Sequence, residues 1–164
     1  MTRIIRDQET VRRWGADILK SKGMAREKRF MQHGDISCYR HSLRVASRSV
    51  RLGRWLRLKA DMRALVRGAL LHDYFLYDWH EKDASHKWHG FHHPAAALKN
   101  ASADFGLSPR ERDVIAKHMF PLTLRPPRFR ESWIVCLADK YCAVLESMFQ
   151  RTRVADTDAA DNEW

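Results

Sequence analysis

The stretch from Cys38 to about Leu58 constrains this chain more than any other. Leu43, Val45, Ala46, Val50, Leu52 and Leu56 return at the three- and four-residue spacing of an α-helix and form one broad apolar arc. Arg40, Arg44, Arg48, Arg51 and Arg54 lie on the opposite side. A helix with so wide an apolar arc must bury it against other elements. The rest of the chain points to helices as those elements. Its 164 residues hold only seven Gly and five Pro, and turn residues never recur at the rhythm of short paired strands.

The same periodicity predicts a first helix from about Gln8 to Lys22. It predicts another from Met62 to about Tyr74, with Asp61 as N-cap and Leu65, Val66, Ala69 and Leu70 inward. A histidine-rich loop, DWHEKDASHKWHGFH, follows. Pro94 suits the first position of the next helix, which reaches to about Asp104 with His93 beside its cap. Ser108-Pro109-Arg110-Glu111 reads as a capping box with proline at N1, opening a helix that stops before Pro121. A last helix, from about Glu131 to Gln150, is expected to insert Trp133, Ile134, Leu137, Tyr141, Val144, Leu145 and Met148 into the core. The expectation is a single all-α domain, a helical bundle. Residues 1–30 form a helical segment packing on the core, 31–150 the functional domain, and 151–164 a mobile acidic tail.

Composition narrows the function classes. A hydrophobic share of 45% is enough for a core, while the chain has no long uncharged apolar run to serve as a membrane span. The first residues, MTRIIRDQETVRRWGAD, contain no apolar leader, so no secretory signal is expected. Three cysteines, Cys38, Cys136 and Cys142, are odd in number and form no CxxC pair. They predict a reducing cytoplasm, no disulfide framework and no thiolate zinc finger. A net charge of +10 favours anionic partners: nucleic acid, acidic lipid or phosphorylated small molecules.

Several polar side chains fall on faces that should be buried. His41 lies at the edge of its apolar arc. His72 and Asp73 end a hydrophobic helix on the face of Leu65, Val66 and Ala69. His118 follows Val114 and Ile115 by one turn, and Asp139 shares a face with Val135 and Cys142. Burying such groups is costly unless something satisfies them, and a metal ion satisfies imidazoles and carboxylates together. Taken singly, each histidine also fits a hydrogen-bonded core position, and Asp139 could pair with an arginine of the basic helix. Four separate helical segments each carrying such a residue point to a metal.

In order along the chain, His41, His72-Asp73, His93, His118 and Asp139 occur in the contexts RHSLRVA, ALLHDY, HHPAAAL, IAKHM and LADKYCA. This string resembles the HD-domain superfamily of metal-dependent phosphohydrolases. It looks most like the small bacterial HD proteins that include the diadenosine tetraphosphate hydrolases. The resemblance covers about residues 38–146 and implies an ion held by His41, His72, Asp73 and Asp139. It also implies a second ion at His93 and His118, with Asp73 bridging the two. Histidine-rich ligation favours Fe, Mn, Co, Ni or Zn over Mg. The implied activity is hydrolysis of a phosphate ester or anhydride, of a nucleotide-type substrate, by a metal-activated hydroxide.

Members of the superfamily often carry a lysine three residues after the HD doublet; here the chain reads HDYFL, so that lysine has no counterpart. Arg44, one turn beyond His41, and Lys140, next to Asp139, are the cations expected to serve catalysis and bind phosphate. Lys117 and His89 are further substrate-binding candidates. His89 or His92 could also stand in for His93 as ligand, and Tyr74, Trp79, Trp88 or Phe91 could stack a base. The competing reading is a basic helical module with a structural metal, binding nucleic acid through Arg40, Arg44, Arg48 and Arg51. That reading does not require inward histidines and aspartates.

Overall fold

The computed structural model describes residues 3–33, 36–77 and 89–149. Helices α1 (Arg3–Leu19) and α2 (Lys22–Glu27) precede a short antiparallel hairpin, β1 (Met31–His33) with β2 (Ile36–Ser37). Then follow α3 (Cys38–Trp55), α4 (Met62–Leu71), α5 (His89–Asp104), α6 (Pro109–Lys117) and α7 (Arg130–Phe149). The expected all-α bundle is the architecture found, apart from that one small hairpin. No helix among the described residues is long and apolar enough to cross a membrane. Cys38, Cys136 and Cys142 are buried thiols that form no disulfide.

Helix α4 is the axis of the bundle, packed against α1, α3, α6 and α7. Its sequence, MRALVRGALL, is apolar apart from Arg63 and Arg67, and every residue from Ala64 to Leu71 is buried. Asp61 caps it by accepting from the Ala64 amide at 3.0 Å, and donates its own amide to Glu131 at 2.7 Å. Gly68 permits the contact with α6, because a Cβ there would stand 2.8 Å from the Val114 side chain. Arg67, the buried charge of α4, is held between Asp17 at 2.6 Å and Glu111 at 2.8 Å. Ser108 and Glu111 form the expected capping box on α6. These contacts hold the C-terminal ends of α4 and α6 side by side.

Several expectations are corrected. The first helix ends at Leu19, and Ser21 caps the separate α2 through the Met24 amide. The hairpin carries no alternating pattern; it is anchored from outside, with Gln32 bonded to Asp73 and the Cys38 amide bonded to Phe30. Helix α4 stops at Leu71, not Tyr74, with His72 as its C-cap. Helix α5 starts at His89, so Pro94 lies inside it and not at its first position. A proline so near the start removes one i→i−4 bond without ending the helix. On α7, Ile134 is buried, but Trp133, Leu137, Tyr141, Val144 and Met148 are exposed, Met148 at 65%. The neighbouring helices instead take the face of Val135, Ala138, Asp139, Cys142 and Glu146. The acidic tail 151–164 and His80, His86, Trp79 and Trp88 lie outside the described residues.

Candidate metal centre

Three helices and the ends of two others deliver the six ordered residues to one place. His41 sits in the first turn of α3 and is fully buried. His72 and Asp73 leave the end of α4, His93 comes from α5, His118 is the C-cap of α6, and Asp139 stands in mid-α7. All six are buried.

Asp73 organises the group. Its Oδ2 faces His72 Nε2 at 3.3 Å and His41 Nε2 at 3.8 Å, while its Oδ1 faces His93 Nε2 at 3.2 Å and His118 Nε2 at 3.4 Å. Asp139 Oδ1 closes the first pair, 3.1 Å from His41 Nε2 and 3.5 Å from His72 Nε2. One carboxylate thus joins two ligand clusters, His41–His72–Asp73 and Asp73–His93–His118. His93 Nε2 lies 2.8 Å from His118 Nε2, so only one of those facing nitrogens can carry a proton between them.

The outer ring nitrogens explain why Nε2 points inward in three cases. His72 Nδ1 donates to the Ala69 carbonyl at 2.8 Å, and His118 Nδ1 donates to the Ile115 carbonyl at 2.9 Å. Both carbonyls belong to last turns, where helix acceptors lack intrahelical partners. Each ring therefore caps its own helix through Nδ1–H, which fixes its orientation and leaves Nε2 as the atom turned toward Asp73. His41 Nδ1 is instead bonded to Glu146 Oε2 at 2.8 Å, and Arg44 bonds the other oxygen of Glu146 at 3.2 Å.

Electrostatics agree with a ligand set. Burial alone would lower the pKa of His41, but its hydrogen bonds to Asp139 and Glu146 outweigh that and push it up to about 9. His72 is likewise raised against burial, chiefly by the charge of Asp73. Burial works to raise Asp73, yet the charge of His72 and the close approach of the His118 and His93 imidazoles hold it well below the usual carboxylate range. Asp139 is lowered against burial by His41 and His72. His118 is lowered by burial and by the adjacent His93 and His72. His72 Nε2 and Asp73 Oδ1 make no hydrogen bond of good geometry although both are enclosed. Buried ligand atoms converging without partners are what a divalent ion would satisfy, and the residues fit one or two.

The remaining candidates fall into different places. Arg44 has a side chain 40% exposed and is tied to the centre through Glu146. Lys117 is paired with Asp113 at 2.9 Å. Lys140 donates to the His118 carbonyl at 2.9 Å and contacts the Cys136 thiol, which fastens the end of α6 to α7. His93, not the exposed His92, is the residue brought to Asp73. For His89 only the helical backbone is described. Tyr74 is fully buried and donates to Asp104 at 2.8 Å, which removes it as a base-stacking surface, whereas Phe91 is 45% exposed.

Three polar side chains at the centre escaped the sequence reading. Glu146 follows Asp139 by seven residues, two turns along the same face, and that spacing was the available signal. Gln32 reaches Asp73 Oδ2 at 2.5 Å from the hairpin and accepts from the Cys38 thiol. Glu27, on α2, is fully buried and has its carboxyl pKa raised well above the ordinary value by burial and by Asp73. Nothing local marked these last two.

Comparison with known proteins gives one family. The family model described as HD domain matches residues 38–144, more than half of the chain, from the first turn of α3 to near the end of α7. No curated protein and no solved structure matches the chain.

Proposed function

The chain belongs to the HD domain family, generally metal-dependent phosphohydrolases, and from this we propose that it hydrolyses a phosphate ester or anhydride in a nucleotide-type substrate. One observation carries the reading: the two oxygens of Asp73 serve two separate pairs of imidazole Nε2 atoms. A divalent transition ion at either cluster, or one at each, would lower the pKa of a coordinated water and neutralise phosphate oxygens. His41, His72, Asp73 and Asp139 would hold the first, and Asp73, His93 and His118 the second.

Around them, Glu146 fixes the His41 ring and holds Arg44 beside it. Arg44 is the cation we assign to the substrate phosphate, because its planar donor fork suits a phosphate and its side chain reaches solvent. Lys117 and Lys140 would first have to leave their protein partners. A net charge of +10 draws polyanionic substrates toward this surface. Thiols that form no disulfide suit a reducing compartment, and we place the protein in the cytoplasm on that ground.

The arginine row that favoured nucleic acid is largely engaged within the protein. Arg44 bonds Glu146, Arg48 stacks on Tyr141, and Arg51 and Arg54 pair with Asp7. The test is elemental analysis of the purified protein, then a screen of mononucleotides, dinucleoside polyphosphates and cyclic nucleotides with Mn²⁺, Fe²⁺ or Mg²⁺. Turnover lost on chelation and restored by Mn²⁺ is expected. No metal-dependent turnover, together with tight salt-sensitive binding of RNA or DNA, would overturn the reading.

A further inference from the structure

Glu27 has no evident task in a chain whose other central carboxylates are all engaged. Its helix, α2, is seated directly on the residue that follows Asp73: a Cβ on Gly23 would run into the Tyr74 hydroxyl and ring. One turn further along α2, Glu27 is completely enclosed, and neither of its carboxylate oxygens has a hydrogen-bond partner. The charges it feels are those of Asp73, His72 and His41. An enclosed carboxyl with no donor is among the costliest groups a core can hold. Two more unpartnered atoms, His72 Nε2 and Asp73 Oδ1, belong to the same centre.

Charge balance points the same way. Four neutral imidazoles with Asp73 and Asp139 bring two negative charges to a place that could take two divalent ions. Glu146 adds little to the balance, since Arg44 already neutralises it. A third carboxylate beside Asp73 is repelled while the ions are absent and favoured once they are bound.

We propose that Glu27 belongs to the metal centre as a positioning residue, its carboxylate accepting from water retained with the ion at His41, His72 and Asp73. This rests on the reading of those residues as ligands. The orphaned carboxyl is thus the protein's half of an interaction that the ion and its water complete. Its N-terminal location also gives α2, which lies outside the family match, a reason to pack on the centre.

The test compares the full-length protein with Glu27→Gln and Glu27→Leu. After chelation and dialysis, both variants should melt at or above the parent temperature, because an unsatisfied buried acid has been removed. Mn²⁺ should then bind both variants at least tenfold more weakly, with altered water-proton relaxation of the bound ion, a readout that a purely structural residue would not move. Glu27→Gln is nearly isosteric and keeps the test decisive should Glu27→Leu fold poorly. Parent-like Mn²⁺ affinity and relaxation in either folded variant would overturn the assignment of Glu27 alone. A parent protein that binds no transition metal would overturn the ligand reading and this inference together.

Discussion

Truncating Glu146 tests whether the second carboxylate of α7 governs the metal centre from behind. Its Oε2 lies 2.8 Å from His41 Nδ1, and the opposite nitrogen of that ring faces Asp139 at 3.1 Å. Only a doubly protonated imidazole donates to both carboxylates, which agrees with the raised pKa of His41. In the proposed centre an ion held by His41 would compete with the proton facing Asp139, while the Nδ1 bond to Glu146 would raise the basicity of the ring. Loss of such a carboxylate partner typically weakens metal affinity by about 10- to 100-fold, or roughly 1.4–2.7 kcal/mol. Glu146→Gln keeps an acceptor but not the charge, so it should fall near the tenfold end. Glu146→Ala removes both and releases Arg44 as well, so it should approach 100-fold. The assay is Mn²⁺ competition against a chelator at fixed ionic strength, with circular dichroism as the control for folding. NMR titration of the metal-free variants should also show the His41 pKa lowered from about 9. A folded Glu146→Ala protein that binds Mn²⁺ within twofold of the parent would refute the argument.

Further outcomes can be stated from the same geometry. His41 carries a raised pKa, so its contribution to metal-free stability is complete below about 6.5 and is lost as pH rises through about 9. Metal must displace that proton, so apparent Mn²⁺ affinity should climb by up to about tenfold per pH unit between pH 7 and 9; a flat profile would contradict this. His118→Ala should leave the His41–His72–Asp73–Asp139 cluster with one ion and most activity gone, and two ions by elemental analysis would show that His118 is not a ligand. Gly68→Ala drives a Cβ against three Val114 atoms at 2.8–2.9 Å. It should cost about 1–3 kcal/mol in denaturant unfolding, and unchanged stability would mean that α4 and α6 can separate freely.

The features legible in the chain were those that repeat locally. Helix α3 shows its period over eighteen residues, α4 announces itself through Asp61 and an apolar run broken only by Arg63 and Arg67, and α6 opens with a complete capping box. The candidate ligands His41, His72, Asp73 and His118 were legible too, because each stands on or at the end of a face that its own helix marks as inward; His93 entered through the ordered resemblance. Tertiary packing decided everything that depends on which helix lies opposite. The α7 sequence is apolar on more than one side, and only the positions of its neighbours make Asp139 and Glu146 inward while Leu137 and Tyr141 stay in solvent. His92 and His93 are adjacent in sequence and alike in chemistry; the helical phase of α5, running through Pro94, turns His93 to Asp73. Glu146 meets His41 across 105 positions; its seven-residue spacing from Asp139 marks a shared face but not the partner across it. Glu27 is the extreme case: its six-residue helix looks like charged surface, KGMARE, yet the fold seats Gly23 on Tyr74 and buries Gly23, Met24 and Glu27.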